Sequence, residues 1–178
     1  INSYINTYNL KAIITNCCNN YGPRQNPEKF IPKVISCILN KKKIPVYGRG
    51  VNSREWIYVE DHCKALHKVY MKGKIGETYN IGSNLNMRNI ELVKKIILIS
   101  KQKKRFNKKS KVLFVQDRPG HDLRYALNSN KIRSKLKWSN SINIKDGLLK
   151  TFDWYDNNKK FYKMIKNKKF KNRLGLRK

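Results

Sequence analysis

The sequence predicts an α/β fold. Short β-branched runs, at Ala12-Ile13-Ile14, Ile44-Pro45-Val46-Tyr47 and Val112-Leu113-Phe114-Val115, alternate with segments whose apolar residues recur every three or four positions. Most of these runs stop at clusters of glycine, proline or asparagine, the residues that break both strand and helix. At 178 residues and 39% hydrophobic content the chain is one domain or two small lobes.

Taken in order, Ile1, Tyr4, Ile5 and Tyr8 fall at helical spacing. The first residue is not methionine, so the chain is expected to begin inside a helix, as a segment of a longer protein. Residues 11–16 read as a buried strand, and the polar stretch after it as an asparagine-rich turn at the strand's carboxyl end. Pro27-Glu28 is expected to open an amphipathic helix with Phe30, Ile31, Val34, Ile35 and Ile38 on its apolar face; Pro32 falls early enough to be tolerated. Lys41-Lys42-Lys43 closes it, cations at a helix carboxyl end. Residues 44–47 form a strand entering the turn Gly48-Arg49-Gly50, and 55–59 another short strand. A helix runs from Glu60-Asp61, with Asp61 as its cap, to Gly73, and 78–82 is a strand that stops at glycine. Asn89 precedes a helix carrying Ile90, Val93, Ile96 and Ile97. Residues 101–111 are a basic, solvated loop and 112–115 a strand, followed by the polar cluster Asp117 to Asp122. Helices are expected at roughly 128–137 and 143–157, and a basic, frayed tail over 159–178.

The formal charge of +30 and pI near 10.2 would ordinarily point to nucleic acid. The lysines are scattered, however, aromatic rings are not interleaved as a stacking platform, and no helix-turn-helix, zinc-finger or RNP-like signature occurs. This footprint argues against a nucleic-acid partner, and an anionic small molecule is the better use for some of the charge. The apolar run Ile96-Ile97-Leu98-Ile99 is far too short to cross a bilayer, and no signal peptide opens the chain, so no membrane partner is expected. Cys17, Cys18, Cys37 and Cys63 lack metal-ligand spacing and read as reduced thiols of a cytoplasmic protein. His62 and His67 stand off a common helical face, so no metal is assigned.

Three clusters set charged or amide residues beside glycine and proline at element ends: residues 16–32, Tyr47 to Gly50 with Arg54, and Asp117 to Asp122. Arginine presents a planar fork that matches phosphate oxygens in pairs, and lysine a point charge. Lys29, Arg54 and Arg118 are thus candidates to hold a diphosphate. Any single arginine is more often a surface ion-pair partner, so the case rests on recurrence. His121 is either an acid–base group or, more commonly for such a histidine, a hydrogen-bonding one. No G-x-G-x-x-G fingerprint is present, and the tyrosine–lysine pairs at Tyr70/Lys74, Tyr155/Lys159 and Tyr162/Lys166 are expected by chance in a chain this rich in lysine.

Five motifs in order make the chain resemble the dTDP-glucose 4,6-dehydratases, extended short-chain dehydrogenase/reductases. They are Thr15-Asn16-Cys17-Cys18-Asn19-Asn20-Tyr21-Gly22-Pro23, Pro27-Glu28-Lys29-Phe30-Ile31-Pro32, Arg54 to His62, Gly76 to Gly82, and Asp117-Arg118-Pro119-Gly120-His121-Asp122 continuing to Ala126. The resemblance runs from Ile1 to about Tyr155 and implies the carboxyl-terminal half of such an enzyme. Its fold would be the back half of an NAD-binding Rossmann domain (1–26 and 52–83) plus the smaller α/β sugar-nucleotide-binding lobe (27–51 and 84–158), with 159–178 a basic tail.

The resemblance implies oxidation of dTDP-glucose at C4 with NAD as cofactor, loss of water across C5 and C6, and reduction at C6. The family's catalytic tyrosine–lysine and aspartate–glutamate pairs would lie upstream of Ile1, so no catalytic residue is assigned here. It puts Asn19 on the substrate and Asn20 near the nicotinamide end of NAD. Lys29, Phe30 and the strand Pro45-Val46-Tyr47 would meet the sugar nucleotide, Arg54 its diphosphate and Asn89 its nucleotide. Asp117, Arg118, Pro119, Gly120 and His121 would close over it. Cys18 where serine is common, Phe30 in place of leucine, and a shortened, basic 100–111 loop depart from the pattern. The partners implied are a dTDP-sugar and, at full length, a second copy in a homodimer. Two rivals stand beside this reading: an epimerase or decarboxylase acting on a UDP-sugar, which the 117–122 string argues against, and a basic nucleic-acid-binding protein.

Overall fold

The structure, a computed structural model, describes residues 1–161. Helix α1 (Asn2–Tyr8) opens the chain and buries none of its residues. Strand β1 (Ile14–Cys17) follows and leads through Cys18 directly into β2 (Asn19–Tyr21). The expected asparagine turn is therefore a second strand, and Cys18 is the joint between them. Nor is 11–16 a buried strand: Thr15, Asn16 and Cys17 are exposed, because β1 pairs on one side only among the described residues.

Helix α2 (Phe30–Leu39) starts with Lys29 at its N-cap rather than at Pro27, and sets Pro32 in its first turn. Its apolar stripe buries Ile31, Val34, Ile35 and Ile38, as the period requires. Strand β3 (Ile44–Tyr47) alternates Ile44 and Val46 inward with Pro45 and Tyr47 outward. After a turn come β4 (Ser53–Tyr58) and α3 (Val59–Lys72). Beyond β5 (Thr78–Ile81) lie β6 (Asn86–Arg88), α4 (Asn89–Gln102), β7 (Val112–Val115), β8 (Arg124–Tyr125), α5 (Asn130–Leu136) and α6 (Ile144–Asn157). The short strands β6 and β8 have too few residues to show a period in sequence. The expected tail lies largely outside the described residues.

Parallel pairing joins β1 to β5 with Asn16 opposite Asn80, and β2 to β4 with Asn19 opposite Trp56. Strand β4 also holds β6 antiparallel and β8 parallel, while β3 pairs in parallel with β7. Successive side chains on a strand face opposite ways, and β4 uses both faces for core. Trp56 and Tyr58 enter one cluster with Tyr21, α2, α4 and α6; Ile57 enters the other with Cys18, Ala65, Val69, Tyr79 and Ile81. Ile132, Leu136 and Trp138 pack into this second cluster, so residues 130–138 lie with α3 and β5 although the sequence division sets them with the 84–158 lobe.

Two buried carboxylates tie the loops to this frame. Glu55, 1% exposed, accepts from the backbone N–H of Asn84 at 2.7 Å and of Leu127 at 2.8 Å. Asp61 does not cap α3, whose N-cap is Tyr58. It accepts instead from Ser141 N–H at 3.0 Å, Ser141 Oγ–H at 2.7 Å and Ile142 N–H at 2.8 Å, anchoring the entry to α6 from eighty residues away. Asp61→Ala removes the buried acceptor of these three part-buried hydrogen bonds and is expected to lower stability by about 1–3 kcal/mol. Urea denaturation checks this, and Asp61→Asn, which keeps one acceptor, should recover part of the loss.

Candidate functional site

The turn after β3 and the segment after β7 meet because the two strands run in parallel and end together, Tyr47 opposite Val115. Gly48 continues the pairing through its N–H to Val115 O at 2.8 Å. It adopts φ +52°, and a Cβ there would lie 3.0 Å from Asp117 Oδ2, so glycine is needed twice over. Asp117 Oδ1 lies 2.6 Å from His121 Nδ1, and the His121 ring meets Tyr47 edge-on at 6.3 Å between centroids. Arg118 lies over the Tyr47 ring at 5.3 Å. Pro119 and Gly120 are exposed at the tip of this loop.

Strand β4 secures the other side of the same loop. Arg54 donates through Nη1 to Ser53 O at 2.7 Å and to Asp122 O at 2.9 Å, and Asn52 Nδ2 reaches Asp122 O at 3.2 Å. Ser53 N–H bonds Leu123 O, and Asn89 N–H bonds Asn52 O, which brings the start of α4 to the same place. The second and third sequence clusters, with Asn89, thus form one locus.

The first cluster joins it along β4. Arg54 and Trp56 share a face of the strand, about 7 Å apart at two residues' rise. Phe30 stacks on Trp56 at 6.3 Å and 27°, and Asn19 is in register with Trp56. Lys29 stands exposed at the amino end of α2, where backbone N–H groups favour an anion. Asn20, one residue on, faces the opposite side with Ile57. Its Nδ2 donates to Cys18 O at 3.2 Å, while its Oδ1 is buried without a partner. Val46 departs from the expected set, because its side chain is 0% exposed and packs in the core; β3 offers Pro45 and Tyr47 instead.

Asn52 and Trp56 lie outside the sequence candidates, and Gln25, inside the 16–32 cluster, has no role assigned from sequence. Asn52 Oδ1, Trp56 Nε1 and Gln25 Oε1 are buried and unpaired, and such atoms in a native fold call for a partner. Asn52 and Trp56 each stand two residues from Arg54, so the strand period was the available signal. A cavity of about 250 Å3 lies between β4 and the start of α6, lined by Tyr21, Tyr58 and Ile142 among others, and it adjoins the candidates through Trp56.

Burial, and then the Glu55 carboxylate, push the Cys18 thiol up to about 12. The hydrogen bond from His121 holds the Asp117 carboxyl below its ordinary range. Among the described residues no group of three or more histidine, cysteine or acidic side chains is placed to hold a metal, and no helix is long and apolar enough to cross a membrane.

The family model described as GDP-mannose 4,6 dehydratase matches residues 1–151. This chain belongs to that family. Within the family, the chain is 42% identical to a dTDP-glucose 4,6-dehydratase of Escherichia coli over 99% of its own length and 51% of the relative's. It therefore spans about half the length of the curated relatives it matches. The crystal structure of a dTDP-glucose 4,6-dehydratase from Bacillus anthracis in complex with NAD superposes with a TM-score of 0.84 at 41% identity, covering 92% of this chain and 50% of that one. A UDP-glucuronic acid 4-epimerase from Bacillus cereus shares the fold, with a TM-score of 0.79 over 87% of this chain and 48% of its own, at only 23% identity. The dehydratase resemblance read from the motifs, and the α/β class with it, stand.

A carboxyl whose pKa is lowered by folding contributes stability above its unfolded value and loses it as pH falls through the folded one. The Asp117–His121 tether should thus hold at neutral pH and release below the usual aspartate range. In an NMR titration, the Asp117 carboxyl should titrate low in the native chain and return toward the ordinary range in His121→Ala.

Proposed function

We propose that this chain is the sugar-nucleotide-binding half of a dTDP-glucose 4,6-dehydratase. The observation that carries the reading is the convergence on β4: Arg54, Asn89 and the Asp117–His121 loop at one end of a face whose continuation bears Asn19, Trp56 and Phe30. A nucleotide diphosphate needs guanidinium or ammonium donors beside a flat, partly apolar bed, and Arg54, Arg118, Tyr47 and Lys29 offer both. Arg54 is held by two carbonyls that take only one of its nitrogens, leaving the rest of its fork for phosphate oxygens. Asn19 would read hydroxyls of the sugar, and Pro45, Tyr47 and Asn89 the base and ribose, with Asp117, Pro119, Gly120 and His121 folding over the nucleotide.

NAD fits on the other face. Asn20 presents a buried acceptor with no partner there, and would meet the nicotinamide end. When bound, NAD supplies the hydride carrier for a conversion that is redox-neutral overall: oxidation at C4, loss of one water across C5 and C6, and reduction at C6. The chain's own part is to bind and orient the nucleotide so that the sugar reaches the cofactor. The acid–base groups belong to the remainder of the enzyme, and a cytoplasmic homodimer completes the proposal.

The reading is tested by calorimetry with dTDP and UDP on the full chain. dTDP should bind better than UDP, and Arg54→Ala should weaken it about tenfold or more, the scale of a charge-assisted hydrogen bond. Arg54→Lys, which keeps the charge but not the fork, should fall between. Preference for UDP, or indifference to Arg54→Ala, would overturn it.

A further inference from the structure

The strands β3 and β7 carry the nucleotide locus at their carboxyl ends, and a second concavity opens at their amino ends. A groove of about 460 Å3 is lined by Lys41, Lys43, Lys108, Lys109 and Lys111. Its walls come from two distant segments: the turn after α2 and the approach to β7. They are locked together by Ile44 N–H donating to Lys111 O at 3.0 Å. Asn107 braces the second segment, accepting from Lys109 N–H through Oδ1 and from Ser110 N–H through its carbonyl. Ser110, between two of the lysines, is 0% exposed and its hydroxyl has no partner.

The acids that might neutralise this groove are engaged elsewhere. Asp153 pairs with Lys103 and Asp156 with Arg105, so α6 takes the basic residues at the start of the 101–111 loop and leaves those at its end. Among the described residues no ion pair reaches any of the five lysines. Like charges lining one concavity repel wherever they approach within the screening length, about 8 Å at physiological ionic strength.

We propose that this groove binds a compact chain of contiguous phosphates, of which inorganic tripolyphosphate is the simplest. Five point charges on flexible stems count negative charge without demanding a geometry, since no arginine fork is among them. No ring lines the groove, so a base would find nothing to stack on, and single-strand binding relies on such rings along an extended track. The two ends of a four-residue strand are about 13 Å apart, so both ligands can be held at once.

The test is titration of the full chain with tripolyphosphate at low ionic strength. The variant Lys41→Ala/Lys43→Ala/Lys109→Ala/Lys111→Ala should bind at least about tenfold more weakly, in keeping with lost charge-assisted contacts. A charge-matched control, Lys72→Ala/Lys74→Ala/Lys94→Ala/Lys95→Ala, should stay within about twofold, because none of these four exposed lysines lines the groove and salt screens charges that make no contact. Lys109→Glu alone should weaken binding without a large change in surface, which guards against a misfolded quadruple variant. Saturating dTDP and Arg54→Ala should both leave tripolyphosphate binding intact, which separates this site from the nucleotide locus. Equal loss in the two quadruple variants would reduce the groove to diffuse charge and overturn the proposal. So would displacement by dTDP, or tighter binding of a single-stranded oligonucleotide through the same lysines.

Discussion

Strand β4 must satisfy two cores at once, and most of the molecule follows from how it does so. Trp56 and Tyr58 close one cluster, Ile57 the other, and Glu55 beside Ile57 receives two loop amides on the side where burial would otherwise strand them. With both faces committed, the strand tolerates no slip: a shift of one residue would exchange tryptophan for a carboxylate in the core. That rigidity fixes the direction in which Arg54 points, since Trp56, Ile57 and Tyr58 beyond it on the strand are held by packing.

The long elements were readable because their periods are strong. The apolar stripe of α2 and the alternation in β3 each follow from the spacing of isoleucine and valine. Failures came where a residue's role depended on partners far along the chain. Asp61 has the composition and place of a helix cap, yet Ser141 and Ile142 claim it, and nothing local announces that. The asparagines at 19 and 20 have low strand propensity, and only pairing with β4 makes them a strand. β1 looked buried because Ile13 and Ile14 are apolar, whereas burial requires neighbours on both edges.

The candidate site was readable in part for the same reason. Its clusters carry residue types that bind anions, and they sit where elements end. Asn52 and Trp56 carry no such mark; each stands two residues from Arg54, and only the fold shows their unpaired polar atoms beside the rest. Val46, which the resemblance sets against the nucleotide with Pro45 and Tyr47, is turned inward by the pleat.

The joint at Cys18 has a consequence for how this stretch can vary over time. It passes the chain from one parallel pair to another without a loop, so the stretch Ile14 to Tyr21 has no slack to absorb an insertion or deletion. Losing one residue there would exchange the faces on which Asn19 and Asn20 stand. Change in this segment must therefore proceed by substitution, residue for residue.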